Sequence, residues 1–390
     1  MSAPAMSTMP ECSVVRPRSN VIFDLLVAIS SPRRQISPAL LDQIDCHELL
    51  RQAEHHSLLP LLAHRLLQSS YGSLLPKDLR DHLRHEFQSN LRHSFGLLEE
   101  AKRILQTWRE LGIEAMPYKG PALAEQLWGS FALRQCSDLD FLLRREDVDR
   151  AAQVLAEMGY RAEMPTPTWL GPALLRDASE LQFRHSKSTL LLELQWAPAP
   201  RTLAVRYDEN QLWRNRTTST VAGMNVTAPS PEDLLGLLVI HGWKHNWSKL
   251  IWVADLATLI DRSQLDWDYI HQSAHKNCWR RILSLGLGMV RRIYELETAP
   301  VEGDSPIAAL ADHLKNNLQN AIDASYVEWH RDMLRARDSR RHQARQLANF
   351  IFTPGLAEYT SFEFPSWAVP AYRLIRVQRV ISMLSAKAAE

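Results

Sequence analysis

The chain is poor in cysteine, poor in glycine and almost free of net charge, and each shortage closes a class of function. Among 390 residues there are only four cysteines, Cys12, Cys46, Cys136 and Cys278, and no Cys-x-x-Cys pair. That spacing predicts neither a disulfide scaffold nor a zinc ribbon, and it suits a reducing compartment. Fourteen glycines against 21 prolines argue against a barrel or sandwich made of glycine turns. Forty-five Lys and Arg against 44 Asp and Glu leave a formal charge of +1, which is not the footprint of a general DNA-binding protein. The longest apolar runs, such as Leu234 to Ile240, fall far short of the roughly 18 residues that span a bilayer. The first residues lack a basic segment followed by an apolar one. A soluble, cytoplasmic protein with no membrane partner is expected.

What is present favours helices. Leu, Ala, Arg and Glu are abundant, and apolar residues recur at three- and four-residue steps from Val21 to about Asn90. Near residue 96 the texture changes. One apolar helical face, from Leu97 to Leu111, stops at Gly112. Short strands are then predicted over residues 113–118, 139–143, 180–185 and 189–196, with helices over 121–128 and 146–158 between them. Strands alternating with helices describe a small α/β or α+β domain. Pro229-Ser230-Pro231-Glu232-Asp233 restarts helix, with acids at its positive end. Four regions are therefore expected: a flexible leader (1–20), a helical region (21–95), a mixed core (96–225) and a second helical region (226–390).

The most informative stretch is Tyr118-Lys119-Gly120-Pro121, followed by Arg134-Gln135-Cys136-Ser137-Asp138-Leu139-Asp140. Alternation along a strand puts Asp138 and Asp140 on one face, with Leu139 and Phe141 pointing away. Two carboxylates so placed suit Mg²⁺, which takes hard oxygen ligands and shares itself with phosphates. Glu193 is the best third ligand, since a charge inside the apolar strand Leu191-Leu192-Glu193-Leu194 needs an explanation. Each also has an ordinary alternative. Asp138 could cap a turn, Lys119 could be a plain surface lysine, and Glu193 could pair with Arg134 or Arg184.

Lys119-Gly-x-x-Leu123, then Leu133-Arg134-x-x-x-Asp138-Leu-Asp140, a helix ending in Gly159-Tyr160 and an acidic strand before Trp196 together resemble the uncharacterised nucleotidyltransferase family of the polymerase-β-like superfamily. The downstream block His241-Gly242-x-Lys244-His245-x-Trp247, followed by Leu250-x-Trp252-x-x-Asp255, is similar to the same family, so the resemblance covers about residues 40 to 380. It implies an α/β (α+β) nucleotidyltransferase-like core with a mixed sheet, flanked by helical regions. It also implies roles. Asp138, Asp140 and Glu193 would be catalytic and would hold Mg²⁺, with Glu193 also a proton acceptor. Lys119, Gly120 and Arg134 would meet phosphate oxygens of a nucleoside triphosphate such as ATP.

His241 and His245 stand one helical turn apart, a spacing that can hold a metal together with Asp255. Hydrogen-bonding histidines at a domain interface are the favoured alternative. Lys244 and His245 share a helical face and are candidates for nucleotide or phosphate binding. Of Trp243, Trp247 and Trp252, packing is the main role expected, with one free to stack on a base. The function expected is Mg²⁺-dependent transfer of a nucleotidyl group from an NTP to an unidentified hydroxyl acceptor (protein, RNA or small molecule). The alternative is a catalytically degenerate nucleotide- or partner-binding protein of the same fold, and a weaker one a metal-dependent phosphohydrolase built on His241, His245 and Asp255.

Overall fold

Alternation along a few short strands sets the architecture. In the computed structural model, which describes residues 18–37, 40–41, 44–164, 171–187, 190–298, 304–361 and 364–388, the strands are β1 (Ala115–Pro117), β2 (Asp138–Leu143), β3 (Tyr160–Ala162), β4 (Glu180–His185), β5 (Leu191–Gln195), β6 (Thr217–Val221) and β7 (Met224–Ala228). The first five form one mixed sheet in the order β1-β2-β5-β4-β3. β2 and β5 run parallel, and the other neighbours are antiparallel. Before and among the strands lie α1 (Arg18–Ser30), α2 (Cys46–His55), α3 (Leu59–Gln68), α4 (Lys77–Glu110), α5 (Gly120–Trp128), α6 (Val148–Glu157), α7 (Gly171–Asp177) and α8 (Glu209–Arg214). After them come α9 (Pro231–Lys244), α10 (Leu250–Arg262), α11 (Trp267–Lys276), α12 (Arg280–Tyr294), α13 (Ser305–Gln319), α14 (Tyr326–Arg335), α15 (Arg340–Phe352), α16 (Leu356–Ser361) and α17 (Tyr372–Ala388). The expected α/β core within a mostly helical protein is what the chain forms.

The two faces of the sheet divide the residues cleanly. Leu139, Phe141 and Leu143 of β2 join Leu192 and Leu194 of β5 and Phe183 of β4 in one core, closed by α6 and by Leu97 to Trp108 of α4. Trp108 meets Phe141 edge-on at 5.1 Å between ring centres. Each such buried side chain contributes about 1.5–3 kcal/mol, which holds the strands in register. Leu142 points the other way, into a larger core shared with α1, α3, α9, α10 and α12. Helix α4 spans residues 95 and 96 without a break, yet its buried face changes core there: Leu79 and Leu83 pack with the helices, Leu97 onward with the sheet.

Of the expected strands, residues 180–185 keep their bounds, while the others are trimmed or shifted by up to two residues; Thr189 lies outside the described residues. Most of the expected leader, residues 1–17, is also outside them. β3 and the β6-β7 hairpin were not anticipated. β3 is only three residues long. The hairpin turns at Ala222-Gly223, both at positive φ (48° and 74°), a backbone that Asn-Gly would have announced but alanine conceals. Cys46, Cys136 and Cys278 are free thiols. No helix among the described residues is long and apolar enough to cross a membrane.

The His-Gly-x-Lys-His-x-Trp block has a packing explanation. Ser230 caps α9 by accepting from the Asp233 N–H, and the helix ends at Lys244. Asn246 and Trp247 then turn left-handed (φ 54° and 51°), and the Trp247 N–H donates to the Gly242 carbonyl at 2.8 Å. The indole folds back so closely that a Cβ on Gly242 would lie 2.4 Å from its ring. Gly242→Ala is therefore expected to destabilise the protein by about 3 kcal/mol, the upper range for overpacking. An unchanged midpoint in urea denaturation would show that the indole is not seated on Gly242.

Candidate active site

Between the sheet's other face and the ends of α5, α9 and α10 lies a cleft of about 390 Å³, within the range of small-molecule sites. Asp138, Asp140, Glu193, Lys119, Gly120, Arg134, Lys244 and His245 all line it. They are brought together by register. Asp140 sits opposite Glu193 across the parallel β2-β5 pair, and Glu193 opposite Gln182 across β5-β4. With Leu192, Leu194 and Phe141 facing the opposite core, these polar residues must project from the same face.

A hydrogen-bonded network holds the carboxylates. Lys119 Nζ donates to Asp140 Oδ1 at 3.0 Å, and so does Gln195 Nε2 at 2.8 Å. Gln195 Nε2 also donates to Glu193 Oε2 at 2.7 Å, while Gln182 Nε2 donates to Glu193 Oε1 at 2.8 Å. The buried Tyr118 hydroxyl donates to Gln195 Oε1, which fixes the amide with its NH₂ toward the two acids. Asp138 accepts from the Ser137 hydroxyl at 3.2 Å. Glu193 pairs with neither Arg134 nor Arg184.

The charges are unevenly compensated. Burial first, and then the neighbouring Asp140 and Glu180 carboxylates, push Glu193 up to about 7. Burial and Asp140 raise Asp138 in the same direction. Burial alone would lower Lys119, but Asp140 and Tyr118 hold it above the ordinary lysine range. Hard oxygens on one face, two of them reluctant to stay ionised, are a donor set suited to a hard cation. As placed, no three His, Cys, Asp or Glu side chains among the described residues gather closely enough to hold a metal ion; Lys119 and the two amides meet the oxygens of Asp140 and Glu193 instead.

Helix α5 explains why Lys119 is there. Gly120 opens the helix at φ +59°, and a Cβ on it would lie 3.0 Å from the Asp138 carbonyl oxygen. Glycine thus lets the helix start lie against the start of β2, with Lys119 as its N-cap residue beside Asp140. Pro121 follows in the first turn and contributes no N–H.

Arg134 is more deeply committed to the fold. Its Nε donates to Asp255 Oδ2 at 2.9 Å, and Trp128 Nε1 donates to Asp255 Oδ1 at 2.9 Å. Asp255 is 1% exposed and does not line the cleft, so it does not join His241 and His245 as a ligand. Burial lowers the Arg134 guanidinium, but Asp255 and Cys136 together hold it above the ordinary arginine range. Burial also pushes the Cys136 thiol up to about 11, which leaves it an unreactive packing group.

The opposite wall comes from α9 and α10. The His241 ring meets Trp252 edge-on and the His245 ring lies tilted against it, each 5.2 Å from its ring centre. Burial lowers His241, and Lys119 and His245 lower it further. Burial of the His245 ring in the cleft, and then Lys244 and Lys119, hold it below the usual histidine range. Both imidazoles are therefore biased toward the neutral form. Lys244 Nζ lies 3.5 Å from Glu180 Oε2. Lys249, Glu180, Gln182 and Gln195 belong to the site without having been singled out as its members. The alternation Glu180, Gln182, Arg184 carried the signal for two of them, while Lys249 reaches the cleft only because the loop after α9 turns back. Trp243 and Trp247 are fully buried, and Trp252 alone of the three lines the cleft.

Residues 42–295 match the family described as uncharacterised nucleotidyltransferase, which is more than half of the chain. No curated protein matches it. Among solved structures, an antigenic nucleotidyltransferase-like protein from Paracoccidioides brasiliensis is similar, with a TM-score of 0.33 and 16% identity, over 60% of this chain and 96% of that one.

Two outcomes follow from the electrostatics. Glu193 has a folded pKa raised from 4.5 to about 7, so the native state holds its proton where the unfolded chain has released it. Stability conferred by that proton is present below pH 4.5 and lost as pH rises toward 7. Glu193→Gln should flatten this loss by about 2 kcal/mol, allowing for partial exposure; parallel pH profiles for the two proteins would contradict the shift. Arg134→Met should cost about 3–5 kcal/mol because Asp255 is left buried and uncompensated, and Asp255→Leu added to it should restore much of that. Urea denaturation of the single and double variants measures both.

Proposed function

The chain belongs to the uncharacterised nucleotidyltransferase family, and on that premise we propose that it moves a nucleotidyl group from an NTP to a hydroxyl of an acceptor, releasing pyrophosphate, with Mg²⁺ as cofactor. A single polar sheet face supports this activity: Asp138, Asp140 and Glu193 project from paired strands into one cleft, opposite Lys244, Lys249, His245 and Trp252. The three carboxylates would hold the ion, since their oxygens are hard donors and two of them are raised by burial and mutual repulsion. Held by these residues, Mg²⁺ would supply charge neutralisation at the transferring phosphate and a lowered pKa for the attacking hydroxyl.

The chain's own groups do the rest. Lys119 presents a fixed ammonium at the start of α5, and Lys244 and Lys249 offer charge-assisted hydrogen bonds to phosphate oxygens. The Trp252 ring, partly open, offers a face to a base. Glu193, poised near neutrality, accepts the proton of the acceptor hydroxyl. The acceptor enters as a protein, RNA or small molecule bearing that hydroxyl. A particular arrangement favours the second reading, a nucleotide- or partner-binding protein without turnover. Lys119 already rests on Asp140, two amides rest on Glu193, and Pro121 removes a backbone donor from the first turn of α5.

Asp138→Asn separates the two readings. Among the described residues Asp138 accepts only the Ser137 hydroxyl, so the substitution removes a charge without unpairing a buried lysine. Incubation with labelled NTPs, Mg²⁺ and a lysate should label an acceptor, and Asp138→Asn should reduce labelling by roughly a hundredfold or more at unchanged melting temperature. Mg²⁺ and NTP together should raise the melting temperature of the natural protein by more than the two separate shifts combined. An NTP shift that persists in EDTA and in Asp138→Asn, without labelling, would establish the binding protein instead.

A further inference from the structure

Beyond the carboxylate cleft, a second cavity of about 500 Å³ opens where the chain leaves β5, against the loop before α8 and one face of α15. It shares no lining residue with the first. Five arginines line it: Arg145, Arg176, Arg201, Arg206 and Arg345. Their partners can be followed one by one. Arg145 donates to both oxygens of Glu209, at 2.8 and 2.6 Å. Arg176 donates to both oxygens of Asp177, at 2.8 and 2.6 Å, and Arg201 reaches the same carboxylate at 3.2 Å. The other lining carboxylate, Asp208, accepts from Lys276 at 2.9 Å and caps α8. Every carboxylate at the cavity is thereby engaged, and the exposed Arg206 and Arg345 have no hydrogen-bond or ion-pair partner among the described residues.

The arrangement is crowded with like charge rather than balanced. Burial, and then Arg206 and Arg201, lower the Arg345 guanidinium from its ordinary value. Beneath the floor, Arg337 is 1% exposed and spends one N–H on the Ala204 carbonyl at 3.0 Å, while its Nε and Nη1 find no hydrogen-bond partner among the described residues. Two guanidiniums without counter-charges, Arg206 and Arg345, beside three that are paired are unfavourable in isolation, and a fold that keeps them there offers a place for an anion. Guanidinium forks match phosphate oxygens two at a time. The cavity has the volume of a small-molecule site, and the chain around it is nearly neutral overall, unlike the extended basic track that a nucleic acid follows.

We propose that this arginine-lined cavity is a second ligand site, which binds a phosphorylated small molecule through Arg206 and Arg345, with Arg201 alongside, independently of the carboxylate cleft. The site does not depend on whether the chain turns over nucleotide.

Calorimetric titration with inorganic pyrophosphate in EDTA tests it, on the natural protein, on Arg206→Ala/Arg345→Ala and on Lys244→Ala/Lys249→Ala from the other cleft. Both arginines are exposed, so the first variant should keep its melting temperature. Binding should weaken by about tenfold or more in the arginine variant and by less than about threefold in the lysine variant. Arg206→Lys/Arg345→Lys, which keeps the charge but not the fork, should bind with intermediate strength. Pyrophosphate that binds the arginine variant as well as the natural protein would overturn the assignment. So would binding lost only in the lysine variant, or no binding to the natural protein at millimolar concentration.

Discussion

The parallel pairing of β2 with β5 is the constraint from which the site follows. Because side chains alternate, a slip of one residue on either strand would turn Phe141 or Leu194 into the cleft and send an acid into the core. What forbids the slip is the other face, where Leu139, Phe141, Leu143, Leu192 and Leu194 pack against α4 and α6. Each of those side chains favours the observed register by about 1.5–3 kcal/mol. The repulsion among Asp138, Asp140 and Glu193 opposes it far less, since protonation of Glu193 near pH 7 relieves part of it. The acids are gathered by apolar packing that takes place behind them.

Gathered acids still need partners, and the network around them is economical. A buried lysine–carboxylate pair is only marginally favourable in itself but strongly unfavourable to break. Lys119, with its side chain 10% exposed, and Asp140, at 5%, are therefore mutually dependent. Gln195 extends the arrangement to Glu193 with a single NH₂ group, and Tyr118 from β1's end sets which way that amide points. These residues come from three segments, the β1–α5 junction (Tyr118 and Lys119), β2 (Asp140) and β5 (Glu193 and Gln195), and β1 and β5 are the two neighbours of β2. The same network that stabilises the acids also occupies them, so any ligand that takes their oxygens must displace an amide or the Lys119 ammonium.

This distinction explains what was legible in the sequence. Asp138, Asp140 and Glu193 could be read because each is a charge at a fixed period inside an apolar run, and strand alternation converts that period into direction. The starts of α5 and α9 could be read because proline and a capping serine mark them. Arg134 was legible only in part: its place four residues before Asp138 marks it for the cleft, which it lines, but its partner Asp255 lies 121 residues away in sequence, and no local pattern predicts a pairing at that distance. Gln182 and Gln195 are uncharged and so carry no alarm, although their alternation with Phe183 and Leu194 was visible. The continuity of α4 across residues 95 and 96 was hidden because its apolar stripe changes partner midway, which looks in sequence like the end of one element and the start of another.

The far wall of the cleft depends on a packing event with no chemistry in it. Gly242 admits the Trp247 indole, and Gly286 of α12 takes its other edge, with a Cβ there 3.1 Å from the ring. Seating that indole obliges the chain to turn left-handed at Asn246 and Trp247, and the turn sends Lys249 and Trp252 back toward the sheet. Lys249 and an aromatic ring thus join Lys244 in facing three acids because a tryptophan is buried behind them. The motif residues that look functional, His241, Lys244 and His245, and those that look structural, Gly242 and Trp247, are therefore one device: the second set fixes the angle at which the first meets the polar sheet face. A larger side chain at Gly242 would change that angle even if the fold survived, so the block should tolerate exchange among its cleft-facing polar residues better than any growth at its glycine.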